Sequence, residues 1–305
     1  MEKRNFISYL IISLKGMAMG AADVVPGVSG GTIAFISGIY EELITSINNV
    51  NLSLFKTLRT EGFKAFWNKV NGNFLLALLT GIAISVLSLA KFISWLLENQ
   101  PIPLWSFFFG LVLASIFLVG KEIKKWTPGT ILILILGAAI AYYVTTLPPS
   151  ENIDSLPYLF FSGALAICAM ILPGISGAFI LVLLGSYKTI LDAVHERDLK
   201  VVITVGLGAI FGLLSFAKLL KWMFTHYKNL TLALLTGFIA GSLNKIWPWK
   251  ETLESKLFGD KLVVLKEQNI SPYAFEGDSQ IMFAILLAIT GFSLIFILEK
   301  LASKK

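Results

Sequence analysis

Apolar residues run in long blocks along almost the whole chain, and polar residues gather in the gaps between them. Six blocks are long enough to cross a bilayer as helices, at 73–97, 104–120, 129–147, 201–225, 230–247 and 280–299. Two further apolar regions, 6–47 and 157–193, are interrupted near their middles by Pro and Gly. Each interrupted region reads as two helical arms, Ile7–Ala22 and Val28–Leu43 in the first case. An arm of about sixteen residues is roughly 24 Å long, short of the ~30 Å hydrocarbon core. The pattern predicts that each pair enters the membrane, turns and leaves on the same side.

The pattern also repeats. Shifting the sequence by 147 lays Pro26-Gly27-Val28-Ser29-Gly30 on Pro173-Gly174-Ile175-Ser176-Gly177, with Gly16 on Gly163, Gly38 on Gly185 and Tyr40 on Tyr187. Beyond a longer loop in the first half the shift becomes 127, and Ser88–Trp95 falls on Ser215–Trp222. Residues 1–150 and 151–305 therefore read as two repeats, each a re-entrant helical hairpin followed by three transmembrane helices. An odd number of crossings per unit mounts the second upside down relative to the first, the plan of many secondary transporters. The expected fold is an all-α polytopic membrane protein built as one integrated domain.

Composition agrees with a membrane setting, since 56% of the 305 residues are hydrophobic and only 14% charged, against about 25% charged in soluble domains. The net charge of +6 points to no nucleic acid, because the basic residues lie beside spans. With the N-terminus inside, Lys3, Arg4, Lys56, Arg59, Lys64, Lys69, Lys121, Lys124, Lys125, Lys221, Lys228, Lys300, Lys304 and Lys305 all fall on the cytoplasmic side. Outer loops hold Glu98, Glu151 and Asp154, a balanced Glu196–Lys200 stretch and a mixed 248–279 loop. The distribution is in keeping with the positive-inside rule, because the lysines of so long a loop count little. Both termini are expected in the cytoplasm and the chain in the cytoplasmic membrane. The short run Phe6–Leu14 resembles a signal peptide, but its counterpart recurs inside the chain, which argues against cleavage.

Candidate chemistry concentrates at the interruptions. Pro26 and Pro173 lack an amide hydrogen and stop the first arms. Gly27, Gly30, Gly174 and Gly177 allow unusual backbone and close approach of a ligand. Ser29 and Ser176 suit the first position of a following helix, whose free amides favour an anion. Bare backbone in hydrocarbon is costly, so such tips must be buried or line a wet cavity. Lys91 and Lys218 occupy equivalent places inside spans and are candidate phosphate contacts, with snorkelling to the interface as the plainer role. Asp23, three residues before Pro26 and matched by Met170, is the candidate coupling carboxylate, with a local cap as the alternative. Tyr40 and Tyr187 read as interfacial anchors. Cys168 stands alone, His195 and His226 lie in loops, and the sequence offers no metal site, cofactor site or catalytic set.

The motif Asp23–Thr32, its echo Leu172–Gly177 and the paired Ser-x-Ala-Lys segments are similar to the DUF368 family of PopT-type polyprenyl-phosphate transporters. That resemblance implies a translocase returning undecaprenyl phosphate from the outer to the inner leaflet, with the lipid as partner. Two alternatives compete. Undecaprenyl-pyrophosphate phosphatases carry a related Pro-Gly-x-Ser, but an arginine follows their serine where Gly30 and Gly177 stand here. A transporter of a small soluble anion would use the same tips. The sequence leaves the coupling ion and a homo-oligomeric state open.

Overall fold

A computed structural model describes residues 4–25, 28–150, 155–258 and 261–302. The first half contains α1 (Phe6–Val24), α2 (Gly30–Ile36), α3 (Tyr40–Asn48), α4 (Leu52–Lys69), α5 (Gly72–Asn99), α6 (Pro101–Lys121) and α7 (Pro128–Thr146). The second contains α8 (Leu156–Ile171), α9 (Gly177–Leu183), α10 (Tyr187–His195), α11 (Leu199–His226), α12 (Lys228–Ser242) and α13 (Ile281–Ala302). A 3-10 turn at Leu243–Ile246 leads into an antiparallel hairpin of β1 (Lys250–Phe258) and β2 (Lys261–Asn269). The protein is thus mostly helical, with several apolar helices of a length and composition that suit a polytopic membrane protein.

Local chemistry sets the helix ends. The Asn5 side chain accepts the Ser8 amide at the start of α1. Thr127 and Thr130 cap each other's backbone at the start of α7, with Pro128 in the first turn where its missing N–H costs nothing. Asp198 accepts two amides at the start of α11.

Four pairings build the bundle: α1 on α5, α8 on α11, α6 on α13 and α7 on α12. Glycines make them close. A Cβ added at Gly81 would run into the Ser13 carbonyl, and one at Gly208, Gly110 or Gly237 into Phe160, Ala288 or Leu134. Association through small residues replaces the hydrophobic drive that lipid removes.

Hydrogen bonds define two faces. On one, Arg4 makes a bidentate pair with Glu42 at 2.6 and 2.8 Å, Asn71 joins Glu42, and Lys228 meets Glu41. On the other lie β1–β2, the Asn244–Thr145 contact, and the Tyr158 hydroxyl bonded to the Leu184 carbonyl at 2.8 Å. The last contact joins the start of α8 to the end of α9. In the first half, Lys15 of α1 donates to the Ser37 carbonyl at the end of α2.

Four features depart from the sequence expectation. The chain is not all-α, because the charged segment after α12 forms the β-hairpin rather than a loop. The connection after α3 holds the extra helix α4, turned at Gly62 with φ +82°. Neither second arm is one helix: positive-φ glycines Gly38 and Gly185 divide α2 from α3 and α9 from α10, the latter pair bending by 108°. Such φ values suit Gly and end a helix. Finally, α1 has 19 residues, longer than the arm read from the pattern.

Tyr40 is no interfacial anchor. It is buried between Phe35 and Phe224, with ring centroids 4.9 and 6.0 Å away.

Candidate functional site

The two interruptions meet in the middle of the molecule. Helix α1 stops at Val24, and Ser29 opens α2, its Oγ accepting the Gly31 amide at 3.0 Å. The same hydroxyl donates across to the other half, its hydrogen shared between the carbonyls of Met170 (3.1 Å) and Leu172 (3.2 Å). Those carbonyls are among the orphans at the end of α8, so a serine from one half satisfies the helix end of the other. A bond runs back the other way: the Gly174 amide donates to Thr32 Oγ1 at 2.9 Å. Ser29, Thr32 and Ser176 are all buried.

Shape makes the contact strict. A Cβ on Gly31 would collide with the Ile171 carbonyl. Gly174, at φ +92°, leaves no room for one, with Phe238 O and Ser242 Oγ each 2.8 Å from its position. Pro173 and Gly174 form the buried turn before α9. Pro26 and Gly27, singled out in the first motif, lie outside the described residues.

The two breaks carry different charges. Asp23 folds back from the last turn of α1, and its Oδ1 accepts the Gly30 amide at 2.7 Å. A carboxylate therefore sits at the amide end of α2, where the helix dipole favours negative charge. In the other half Met170 takes that place, its Cβ 3.3 Å from the Cβ position of Gly177, and Ser176 makes no side-chain cap bond.

Lys91 and Lys218 occupy the same place in two helices of 28 residues each, nineteen residues after Gly72 and after Leu199. Both are exposed on the flanks of the bundle rather than turned onto the tips. Their depth is another matter. Contacts of Gly16 with Leu78 and of Gly20 with Ile82 show α1 and α5 running parallel, which puts Lys91 level with the first break. Gly208 against Phe160 and Gly212 against Ala164 do the same for Lys218 and the second.

Three polar features are not among the candidate site residues read from the sequence. Thr32, within the first motif, carries the return bond between the tips. A cavity of ≈ 180 Å³ on the Arg4 face is lined by Glu41, Ile44, Thr45, Lys221, Phe224 and Thr225. Beside the β-hairpin, Lys245 and Lys250 share the carboxylate of Glu267. Among the described residues no cluster of His, Cys, Asp or Glu could hold a metal ion.

A family model described as VCA0040-like, undecaprenyl phosphate translocase-like, matches residues 19–260. The chain belongs to this family. The match spans both breaks and the exposed lysines Lys91 and Lys218. A polyprenyl-phosphate transporter of Vibrio cholerae serotype O1 (strain ATCC 39315 / El Tor Inaba N16961) is 46% identical over 303 residues, covering 98% of each chain. Another of that name, from Staphylococcus aureus (strain NCTC 8325 / PS 47), is 32% identical over 253 residues, covering 77% of this chain and 85% of its own. No solved structure matches.

Proposed function

We propose that this protein is a polyprenyl-phosphate transporter that carries undecaprenyl phosphate from the outer to the inner leaflet of the cytoplasmic membrane. Family membership and two relatives named polyprenyl-phosphate transporter support the substrate. The observation that carries the mechanism is the reciprocal contact between breaks, Ser29 to Met170 and Leu172, and Gly174 to Thr32.

In this reading residues 1–150 and 151–305 are inverted repeats, and each broken pair is a re-entrant hairpin. The Tyr158–Leu184 and Lys15–Ser37 bonds favour it, since they bring each return helix back toward the entry side of its partner. Arg4, Lys124 and Lys228 share the face taken as cytoplasmic. Lipid tails stay in the bilayer while the phosphate crosses at the tips. Exchange of the tip-to-tip bonds for bonds to phosphate opens the route, with Ser29, Gly30, Ser176 and Gly177 as binding groups. Lys91 and Lys218, level with the breaks on the lipid flank, draw the anion in. Asp23 holds the first amide end until the anion or a proton displaces it, which makes it the coupling group. A phosphatase reading lacks support, because no arginine stands beside either serine to stabilise phosphoryl transfer.

The test is flipping of fluorescent polyprenyl phosphate by purified protein in vesicles. Faster equilibration than in empty vesicles supports the reading. Phosphate release from undecaprenyl pyrophosphate, or transport of inorganic phosphate alone, overturns it.

A further inference from the structure

The cluster beside the β-hairpin is built like a site. Glu267 Oε2 lies 3.2 Å from Lys245 Nζ and 3.4 Å from Lys250 Nζ. The Lys250 ammonium also donates to the Lys245 carbonyl at 2.7 Å and sits 4.0 Å from the centre of the Trp105 ring. Lys245 Nζ lies 5.2 Å from the Phe179 ring. The Lys250 side chain keeps only 9% of its accessible surface. Among the described residues, two ammoniums and one carboxylate leave a net positive charge in a largely dry, aromatic-walled setting. Buried charge without full compensation is costly, so the described cluster is one negative charge short.

Its position is equally informative. Ser242, whose hydroxyl oxygen is 2.8 Å from the Cβ position of Gly174, directly precedes the 3-10 turn that carries Lys245. Phe179 belongs to α9, which starts at the second break. The cluster therefore stands about one helical turn from that break, toward the β-hairpin face. Glu267 comes from β2, opposite Thr252 in the register and two residues from Lys250 along β1. The hairpin base is pinned: Trp247 and Trp249 donate to the carbonyls of Ile270 and Ser279, and Asn269 to that of Asn244. An irregularity in the ladder follows immediately, at Thr252–Ser255. Glu267 can thus swing away without loss of the hairpin.

We propose that Lys245 and Lys250 form a receiving site for a phosphate monoester on the β-hairpin face, and that Glu267 is a resident counter-ion which the lipid headgroup displaces. This rests on the transport reading and gives the headgroup a station before the breaks. A phosphate monoester carries about −1.5 to −2 charges at neutral pH, which matches two ammoniums better than one carboxylate does. Trp105 and Phe179 suit the apolar segment next to the phosphate.

Binding of farnesyl phosphate to the purified full-length protein, with farnesol and inorganic phosphate as controls, tests the site. Removing the competing charge in Glu267→Gln should tighten farnesyl phosphate binding about tenfold, a modest share of the Coulomb energy of charges a few ångströms apart. Lys245→Met and Lys250→Met should weaken it by about as much, and farnesol should respond to none of the three. If either lysine variant fails to fold, the Glu267→Gln arm decides alone, since unchanged or weaker binding there overturns the site. Equal affinity for inorganic and farnesyl phosphate overturns the lipid-headgroup assignment. Lipid flipping by the same wild-type preparation separates the two claims. Flipping with no effect of the three substitutions leaves the transport reading standing and removes this site. The expected order of affinities without flipping keeps the site and removes the transport reading.

Discussion

Asp23 accepts the amide of Gly30 at 2.7 Å, closing a loop from the last turn of one helix to the first turn of the next. A carboxylate bound to a helix amide end is a charge-assisted cap. Asp23→Ala is expected to lower stability by about 1 kcal/mol, the typical value of such a cap. Asp23→Asn keeps an acceptor and removes the charge. It should hold its melting temperature in detergent while lipid flipping loses its response to an imposed pH gradient or membrane potential. An unchanged response would take the coupling role away from Asp23.

Gly31 and Gly120 form a matched pair of tests. A methyl group at Gly31 meets the Ile171 carbonyl, while no described residue lies within 4 Å of the Cβ position of Gly120. Gly31→Ala should destabilise by about 1–3 kcal/mol, as overpacking does, and impair flipping. Gly120→Ala, in α6, should be neutral or gain up to about 1 kcal/mol from helix propensity. Thermal unfolding of the two variants side by side checks both directions.

Lys91 and Lys218 are exposed and contribute little to packing. Lys91→Gln and Lys218→Gln should leave the melting temperature unchanged and lower flipping several-fold, each by a similar factor. Wild-type rates in both would assign these lysines to the interface alone.

The Lys250 ammonium is held well below the usual lysine range, at about 8, chiefly by burial, with Lys245 adding to the effect and Glu267 opposing it. Burial favours the neutral amine, whereas a carboxylate favours the cation. Glu267→Gln should therefore move the titration further down, never up. Acylation of Lys250 followed against pH by mass spectrometry should show a midpoint near 8 in the wild type and a lower one in the variant.

The hydroxyl of Tyr40 is buried and has no hydrogen-bond partner among the described residues. Leaving a polar atom so placed costs about 1–3 kcal/mol. Tyr40→Phe keeps the ring against Phe35 and Phe224, so it should match or exceed the wild type in thermal stability.

How much of this could be read from the chain depends on the range of the interaction. The helical, membrane-type character is legible because bilayer thickness imposes a length on every apolar block, as in Gly72–Asn99 and Leu199–His226. The interruptions are legible because Pro and Gly act locally. Tip-to-tip contacts are not, since Ser29 and Met170 are 141 positions apart and no local signal marks their meeting. The β-hairpin escapes because its strands, Lys250–Phe258 and Lys261–Asn269, are rich in Lys and Glu and look like solvated loop. Its pairing is a matter of cross-strand register, which no local signal marks. For the same reason Lys245, Lys250 and Glu267 blend into a charged stretch until folding brings them together. The bends at Gly38 and Gly185 show in the sequence only as glycines, whose φ it does not reveal.

The two longest helices, α5 and α11, have 28 residues each, or about 42 Å of rise. A hydrocarbon slab of about 30 Å accommodates such a rod only by tilt, by protrusion or by local thickening. Helix α5 supports α1 and α11 supports α8, the helices that lead into the two breaks. Any change in their inclination therefore shifts the supports on which the breaks rest. Hydrophobic mismatch would thus be a mechanical input under the transport reading, with acyl-chain length in the surrounding bilayer acting on the inclination of these two supports.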